Sequence, residues 1–129
     1  MLAVDTNILV RLLTRDDHEQ CLRVVAAFER HDIWISKTVI METVWVLEST
    51  YKLSMPEIVA GVGQLIALPN VHVEDGSAVT RAFMCHQRGL DFADALHVCS
   101  SGIADEFITF DQRLAKGAKR IGSLRVREL

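Results

Sequence analysis

The opening stretch, MLAVDTNILVRLL, constrains this chain more than any other. Leu2-Ala3-Val4 is an apolar run of strand length, and Ile8, Leu9, Leu12 and Leu13 then recur at helical spacing. Between them stand Asp5, Thr6 and Asn7. Thr6 and Asn7 carry short side-chain oxygens able to take up the free N–H groups of a first helical turn. Asp5 therefore falls at the carboxyl end of a first strand, facing a helix N-terminus. In open α/β sheets, ligands bind at that edge. A carboxylate there suits a site residue; it also suits a plain cap or turn former, a common use of Asp.

The rest of the chain alternates in the same way. Periodicity predicts a helix over 18–31, with Cys21, Val24, Val25 and Phe28 on its inner face, then a strand at Ile33-Trp34-Ile35 ending at Ser36. Thr38 can cap a third helix, Val39 to Tyr51, which is apolar nearly all round and so is expected to be buried or to form an interface. Ser54-Met55-Pro56-Glu57 is a helix start, with Ser at the cap, Pro in the first turn and Glu three residues on. That helix runs to about Leu68. A strand at Val71-His72-Val73, a helix over 77–88 stopping at Gly89, and a helix from Phe92 to about Gly102 capped by Asp91 follow. Phe107-Ile108-Thr109 is a further strand, Gln112 to Lys116 a short helix, and Leu124-Arg125-Val126 an edge strand. Strands alternating with helices imply parallel pairing. The expected fold is therefore α/β, a three-layer α/β/α sandwich around a short-stranded, mostly parallel sheet. A helical bundle is the competing fold, because helix dominates.

At 129 residues, without repeats or low-complexity segments, the chain is expected to form one domain, 1–129, with a core needing no staples. Three scattered cysteines, Cys21, Cys85 and Cys99, include no C-x-x-C. That pattern suits reduced, buried thiols in a cytoplasmic protein, not a disulfide frame or a zinc site. Asp5 and Asn7 interrupt the N-terminal apolar run, so no signal peptide is expected, and no apolar run reaches membrane-spanning length.

Three further acids keep unusual company. Glu42 lies in the most apolar helix of the chain, where an ionised carboxylate is seldom buried unless paired or metal-bound; alternatively it faces water on a narrow polar strip with Thr38 and Ser49. Asp94 follows Asp91 by three residues, which also fits a capping box. Asp111 follows its strand as Asp5 follows the first, and also suits an N-cap. In a parallel sheet, Asp5, Glu42, Asp94 and Asp111 can converge on one edge. Carboxylates brought that close raise one another's pKa, and a hard divalent cation with oxygen ligands relieves the repulsion. A metal so held activates water and neutralises phosphoryl oxygens, which points to phosphodiester hydrolysis. No histidine, serine or cysteine set suggests nucleophilic catalysis.

Asp5-Thr6-Asn7 after the first strand, Glu42 alone in its helix, Asp91-Phe92-Ala93-Asp94-Ala95 and Thr109-Phe110-Asp111 together resemble the PIN domain family. More closely, the chain is similar to the VapC-type toxins of toxin–antitoxin pairs, from Met1 to about Leu124. The resemblance implies an acidic quartet of Asp5, Glu42, Asp94 and Asp111 binding Mg²⁺ or Mn²⁺, with Asp5 and Asp94 foremost. It implies hydrogen-bonding support from Thr6, Asn7 and Thr109, while Asp91 stays a cap. The implied activity is an endoribonuclease leaving 5′-phosphate and 3′-hydroxyl ends. The implied partners are RNA, a cognate antitoxin and a second copy in a homodimer. The apolar surplus of the third and fourth helices agrees with the protein partners.

Charge adds modest support for RNA. The net charge is −3, yet from Arg113 onward stand Arg113, Lys116, Lys119, Arg120, Arg125 and Arg127 against Glu128 alone. Such cations contact phosphates, although a solvated surface explains most charge runs. His97, one turn after Asp94, suits packing as well as the site. Two alternatives stay open. A receiver-like phospho-acceptor module also sets carboxylates at strand ends but needs a paired acid after the first strand, which Asp5 lacks. A catalytically silent binding scaffold is the other.

Overall fold

The computed structural model describes all 129 residues, Met1–Leu129. They form two compact units, Met1–Glu74 and Asp75–Leu129. The first contains β1 (Leu2–Ala3), α1 (Thr6–Thr14), α2 (His18–Arg30), β2 (Ile33–Ile35), α3 (Lys37–Ser49), α4 (Met55–Ile66) and β3 (Val71–Val73). Its strands lie in the order β1-β2-β3, all parallel, with Leu2 opposite Ile33 and Ile33 opposite Val71. Parallel neighbours require crossovers, and the helices supply them. The central strand shows why it sits there: Ile33 and Ile35 are buried while Trp34 between them is exposed, the period-2 signature of a strand. Ile40, Val44 and Leu47 of α3 and Ile58, Val62 and Leu65 of α4 complete an apolar core. Asn70 ties the end of α2 to the start of β3 by donating to the carbonyls of Phe28 (2.6 Å) and His31 (2.9 Å).

The second unit contains α5 (Gly76–Gln87), α6 (Phe92–Cys99), β4 (Phe107–Thr109), α7 (Gln112–Ile121) and β5 (Val126–Glu128). β4 and β5 pair in parallel, Phe107 opposite Val126. α5 and α6 pack through Phe83 and Phe92, whose ring centroids are 4.4 Å apart. α7 extends beyond the predicted end at Lys116, because Leu114, Ala118 and Ile121 continue its inner face to Gly122, which closes it at φ 80°. Gly117 within it is no helix breaker; a Cβ there would lie 2.5 Å from a Leu90 methyl, so glycine permits the close approach. The last strand lies two residues later than predicted.

The molecule is thus α/β with short parallel strands, as expected, and these divide between a three-stranded and a two-stranded sheet. Of the acceptors the sequence offered before α1, Asp5 takes the cap, the plainer of its two readings, its Oδ1 accepting the Ile8 N–H at 3.2 Å. The cap of α3 differs from expectation. Ser36, not Thr38, caps α3, accepting the Val39 N–H at 3.3 Å. In both, the residue with extended backbone geometry immediately before the first turn takes the role. Ser54 caps α4 as predicted, accepting the Glu57 N–H, and its hydroxyl donates back to the Glu57 carboxylate at 2.9 Å. α3 buries one face only: Glu42 is exposed, and Trp45 is 62% exposed. The three cysteines are free and buried. No helix is long and apolar enough to cross a membrane.

Candidate active site

The second unit gathers carboxylates. Asp91 ends the loop after Gly89 and caps α6, its Oδ2 accepting the Asp94 N–H at 3.1 Å. Asp94 sits one turn into that helix, half-buried. Asp111 follows β4 and caps α7, its Oδ1 accepting the N–H groups of Arg113 (2.8 Å) and Leu114 (3.1 Å). Asp91, Asp94, Asp111 and Arg113 line one pocket of about 300 Å³, floored by Leu90 and Leu114. Gly89 at φ 107° makes the turn that brings Asp91 round, a conformation few other residues adopt.

Electrostatics separates Asp94 from its neighbours. Its burial, then the charges of Asp91 and Asp111, hold its carboxyl above the usual aspartate range, with His97 opposing them. The reciprocal half of a capping box, from the Asp94 carboxylate to the Asp91 N–H, is not made, and no protein donor satisfies that carboxylate. Asp111 is different. One oxygen is committed to the helix, and its backbone N–H is fixed by the Thr109 Oγ1 at 2.9 Å. Thr109 therefore fixes the backbone of Asp111.

Asp5 and Glu42 belong to the first unit. Asp5 commits Oδ1 to capping α1 and lines a groove of about 630 Å³ with Asn7, Arg11 and Arg23 at its polar margin and Val24 and Phe28 on its apolar wall. Thr6 is buried in the first turn and Asn7 is exposed. Glu42, expected in apolar surroundings, instead faces solvent on the strip of α3 that holds Thr38; burial is not what distinguishes it. The buried polar residue of that helix is its neighbour Thr43, whose hydroxyl has no partner.

No three histidine, cysteine, aspartate or glutamate side chains come close enough together to hold a metal ion. The structure brings together Asp94 and Asp111, with Asp91 beside them. Two carboxylates fit Mg²⁺ or Mn²⁺ in its common mode, a largely hydrated ion completed by waters and substrate phosphate, and do not form an all-protein cage. The repulsion that raises the Asp94 pKa is what such an ion relieves. Thiol chemistry is disfavoured: burial, with Cys85 alongside, pushes the Cys99 thiol up to about 11. Two residues emerge that sequence reasoning had given other roles. Arg113, counted only in the basic tail, lines the acidic pocket, and Asp91, taken as a cap, also contributes to it. The spacing of Arg113, two residues after Asp111 in the first turn of a helix, was the available signal.

The PIN domain family model matches residues 2–120, a span that includes every residue of this pocket. No curated protein and no solved structure matches the chain. With acids after β1 and β4 and at the start of α6, on short parallel strands joined by helices, the chain belongs to the PIN domain family.

Proposed function

We propose that this protein is a metal-dependent endoribonuclease, the VapC-type toxin of a toxin–antitoxin pair, acting in the cytoplasm with Mg²⁺ or Mn²⁺. PIN domains are typically metal-dependent nucleases acting on RNA, which supports the coarser part of this reading. The observation that carries it is Asp94: a half-buried carboxylate without a protein donor, its pKa pushed up by burial and then by the charges of Asp91 and Asp111. Such a group costs stability in the free protein. A bound divalent cation would offset that cost.

The roles follow from residue type and placement. Asp94 and Asp111, which line one pocket, would hold the metal directly or through water; Asp5 and Glu42 join them in the proposed quartet on the family resemblance alone. When bound, the ion neutralises the non-bridging phosphoryl oxygens and lowers the pKa of water. Glu42, exposed on α3, is proposed on the family resemblance to hold the metal or orient the attacking water. Thr109 holds Asp111, and Thr6 and Asn7 support the turn that presents Asp5. Arg113 lies beside the acids, where its guanidinium suits a phosphate oxygen of the substrate. Attack in line forms a new P–O bond and breaks the P–O3′ bond, leaving 5′-phosphate and 3′-hydroxyl ends.

A homodimer and an antitoxin complete the proposal. Trp45, on the exposed side of α3, and Met84, 60% exposed on α5, are the apolar side chains that favour protein partners. The decisive test is RNA cleavage by purified, antitoxin-free protein in Mg²⁺, in Mn²⁺ and in EDTA, beside Asp5→Asn. Metal-dependent cutting that falls to the EDTA background in the variant is expected. Equal cutting by both proteins, or no cutting in either metal on a broad RNA pool, contradicts the proposal.

A further inference from the structure

The second unit carries another concave surface, distinct from the acidic pocket. A groove of about 760 Å³ runs between α7 and β5. Lys116 and Lys119, one turn apart on α7, line one side, and Arg125, just before β5, lines the other. No carboxylate pairs with any of the three. Nearby Arg127 is different: its guanidinium grips the Glu106 carboxylate at 2.7 Å, each holding the other in its charged form. That ion pair neutralises itself and leaves the groove lined by three unpaired cations, Lys116, Lys119 and Arg125, against two further acids, Asp105 and Glu128.

The position of the groove adds to its charge. α7 presents Gln112, Arg113, Lys116, Lys119 and Arg120 to solvent and no acid. Arg113 lies in the acidic pocket at the start of the helix. From Arg113 to Lys119 the helix advances about 9 Å, at 1.5 Å per residue. A row of unpaired cations therefore leads away from Asp94 and Asp111 within one unit, in a protein whose net charge is −3. Holding like charges together without counter-ions is unfavourable, and a polyanion relieves it by releasing its own condensed counter-ions.

We propose that the groove of Lys116, Lys119 and Arg125 is a phosphate-tracking subsite for single-stranded RNA, holding the strand beside the scissile bond. The proposal rests on the nuclease reading for its partner and deepens it. It assigns the sequence-independent part of RNA affinity to residues that take no part in the chemistry. Phosphate contacts position a strand without reading its bases, so this subsite contributes binding and salt dependence, not sequence choice. An acidic peptide is the competing occupant. The groove favours RNA, because its unpaired cations continue the row that starts at Arg113 in the acidic pocket, and none of its apolar residues is a large exposed side chain of the kind that anchors a peptide segment.

The test is binding of a 5′-labelled single-stranded RNA to the full chain in EDTA, followed by fluorescence anisotropy across a salt series. The triple variant Lys116→Gln, Lys119→Gln, Arg125→Gln is compared with wild type and with Arg30→Glu, a charge change on exposed α2. Loss of three single-strand contacts is expected to make the slope of log affinity against log salt shallower by about 2 and to weaken binding about tenfold or more at low salt. Arg30→Glu leaves both unchanged. In Mg²⁺, the single-turnover cleavage rate at saturating RNA stays within a factor of two of wild type, while KM rises. Should the triple variant not fold, the single variants Lys116→Gln and Lys119→Gln each reduce the slope by about 0.7. An unchanged slope and affinity overturn the proposal. So does wild-type protein that binds no RNA, or a triple variant that loses only binding of a polyglutamate peptide. Because binding is read in EDTA, a wild type that binds through the groove yet never cuts would overturn the nuclease reading alone. A wild type that cuts while the variant binds equally would overturn this proposal alone.

Discussion

At the scale of single residues, several polar groups are set where physical chemistry gives a definite sign. Thr43 is fully buried on α3 with an unpartnered hydroxyl. Replacing that hydroxyl by a methyl of the same shape removes an unsatisfied polar group, so Thr43→Val is expected to stabilise the fold by about 1 kcal/mol, read from urea unfolding. A loss of stability would mean that the hydroxyl is satisfied in solution. Asp16 has the opposite character. Its carboxylate accepts from Tyr51 Oη at 2.6 Å and Thr14 Oγ1 at 3.0 Å and pairs with Arg11 at 3.2 Å. The Tyr51 hydrogen bond, then those of Thr14 and the Arg11 charge, hold it below its ordinary value of 3.8. A depressed carboxyl pKa contributes stability above the unfolded value that is lost as pH falls through the folded one. Asp16→Asn should therefore lower Tm relative to wild type at pH 7, and the gap should close below pH 3.8. A gap independent of pH would contradict that assignment. Nothing in the sequence pointed to this role for Asp16, since Tyr51 lies 35 residues on, just beyond α3.

At the scale of elements, helices were legible and their ends less so. Ser54-Met55-Pro56-Glu57 gave α4 its start because the pattern is local. The cap of α1 was left open, because Asp5, Thr6 and Asn7 are all competent acceptors and only the backbone decides between them. Glu42 was read as sitting in apolar surroundings because Met41, Trp45 and Val46 blur the stripe. The buried face is in fact Ile40, Thr43, Val44 and Leu47, which leaves Glu42 outside it. The expected α7 ended at Lys116, one residue before Gly117, whereas the helix runs on to Ile121. That glycine yields a test with a control. Alanine gains about 1 kcal/mol over glycine at an open helix position. Gly63 in α4 has nothing near its absent Cβ, so Gly63→Ala should stabilise. At Gly117 the new methyl meets buried Leu90 at 2.5 Å, so Gly117→Ala should destabilise, by about 1–3 kcal/mol as overpacking does. Combining it with Leu90→Ala should restore the helix-propensity gain relative to Leu90→Ala alone. Equal stabilisation at both glycines would contradict the packing described for α7.

At the scale of the whole molecule, strand–helix alternation was enough to give parallel pairing and the α/β class. It was not enough to give the division into two small sheets, since strands of two or three residues carry almost no pairing information of their own. Family resemblance named Asp5, Glu42, Asp94 and Asp111, and of these the structure sets Asp94 and Asp111 on one pocket. What makes Asp94 distinct, its burial beside Asp91 and Asp111, depends on the Gly89 turn and the α6 and α7 caps, which only the fold reveals. The central claim is that these carboxylates form a binding site for a divalent cation. Calorimetric titration of Mn²⁺ into the RNA-free protein, wild type against Asp94→Asn, tests it most directly. The account predicts saturable binding by wild type that is lost in Asp94→Asn, while the variant keeps a cooperative melt and, freed of the repulsion among its acids, melts no lower than metal-free wild type. Equal Mn²⁺ binding by the two proteins would contradict it.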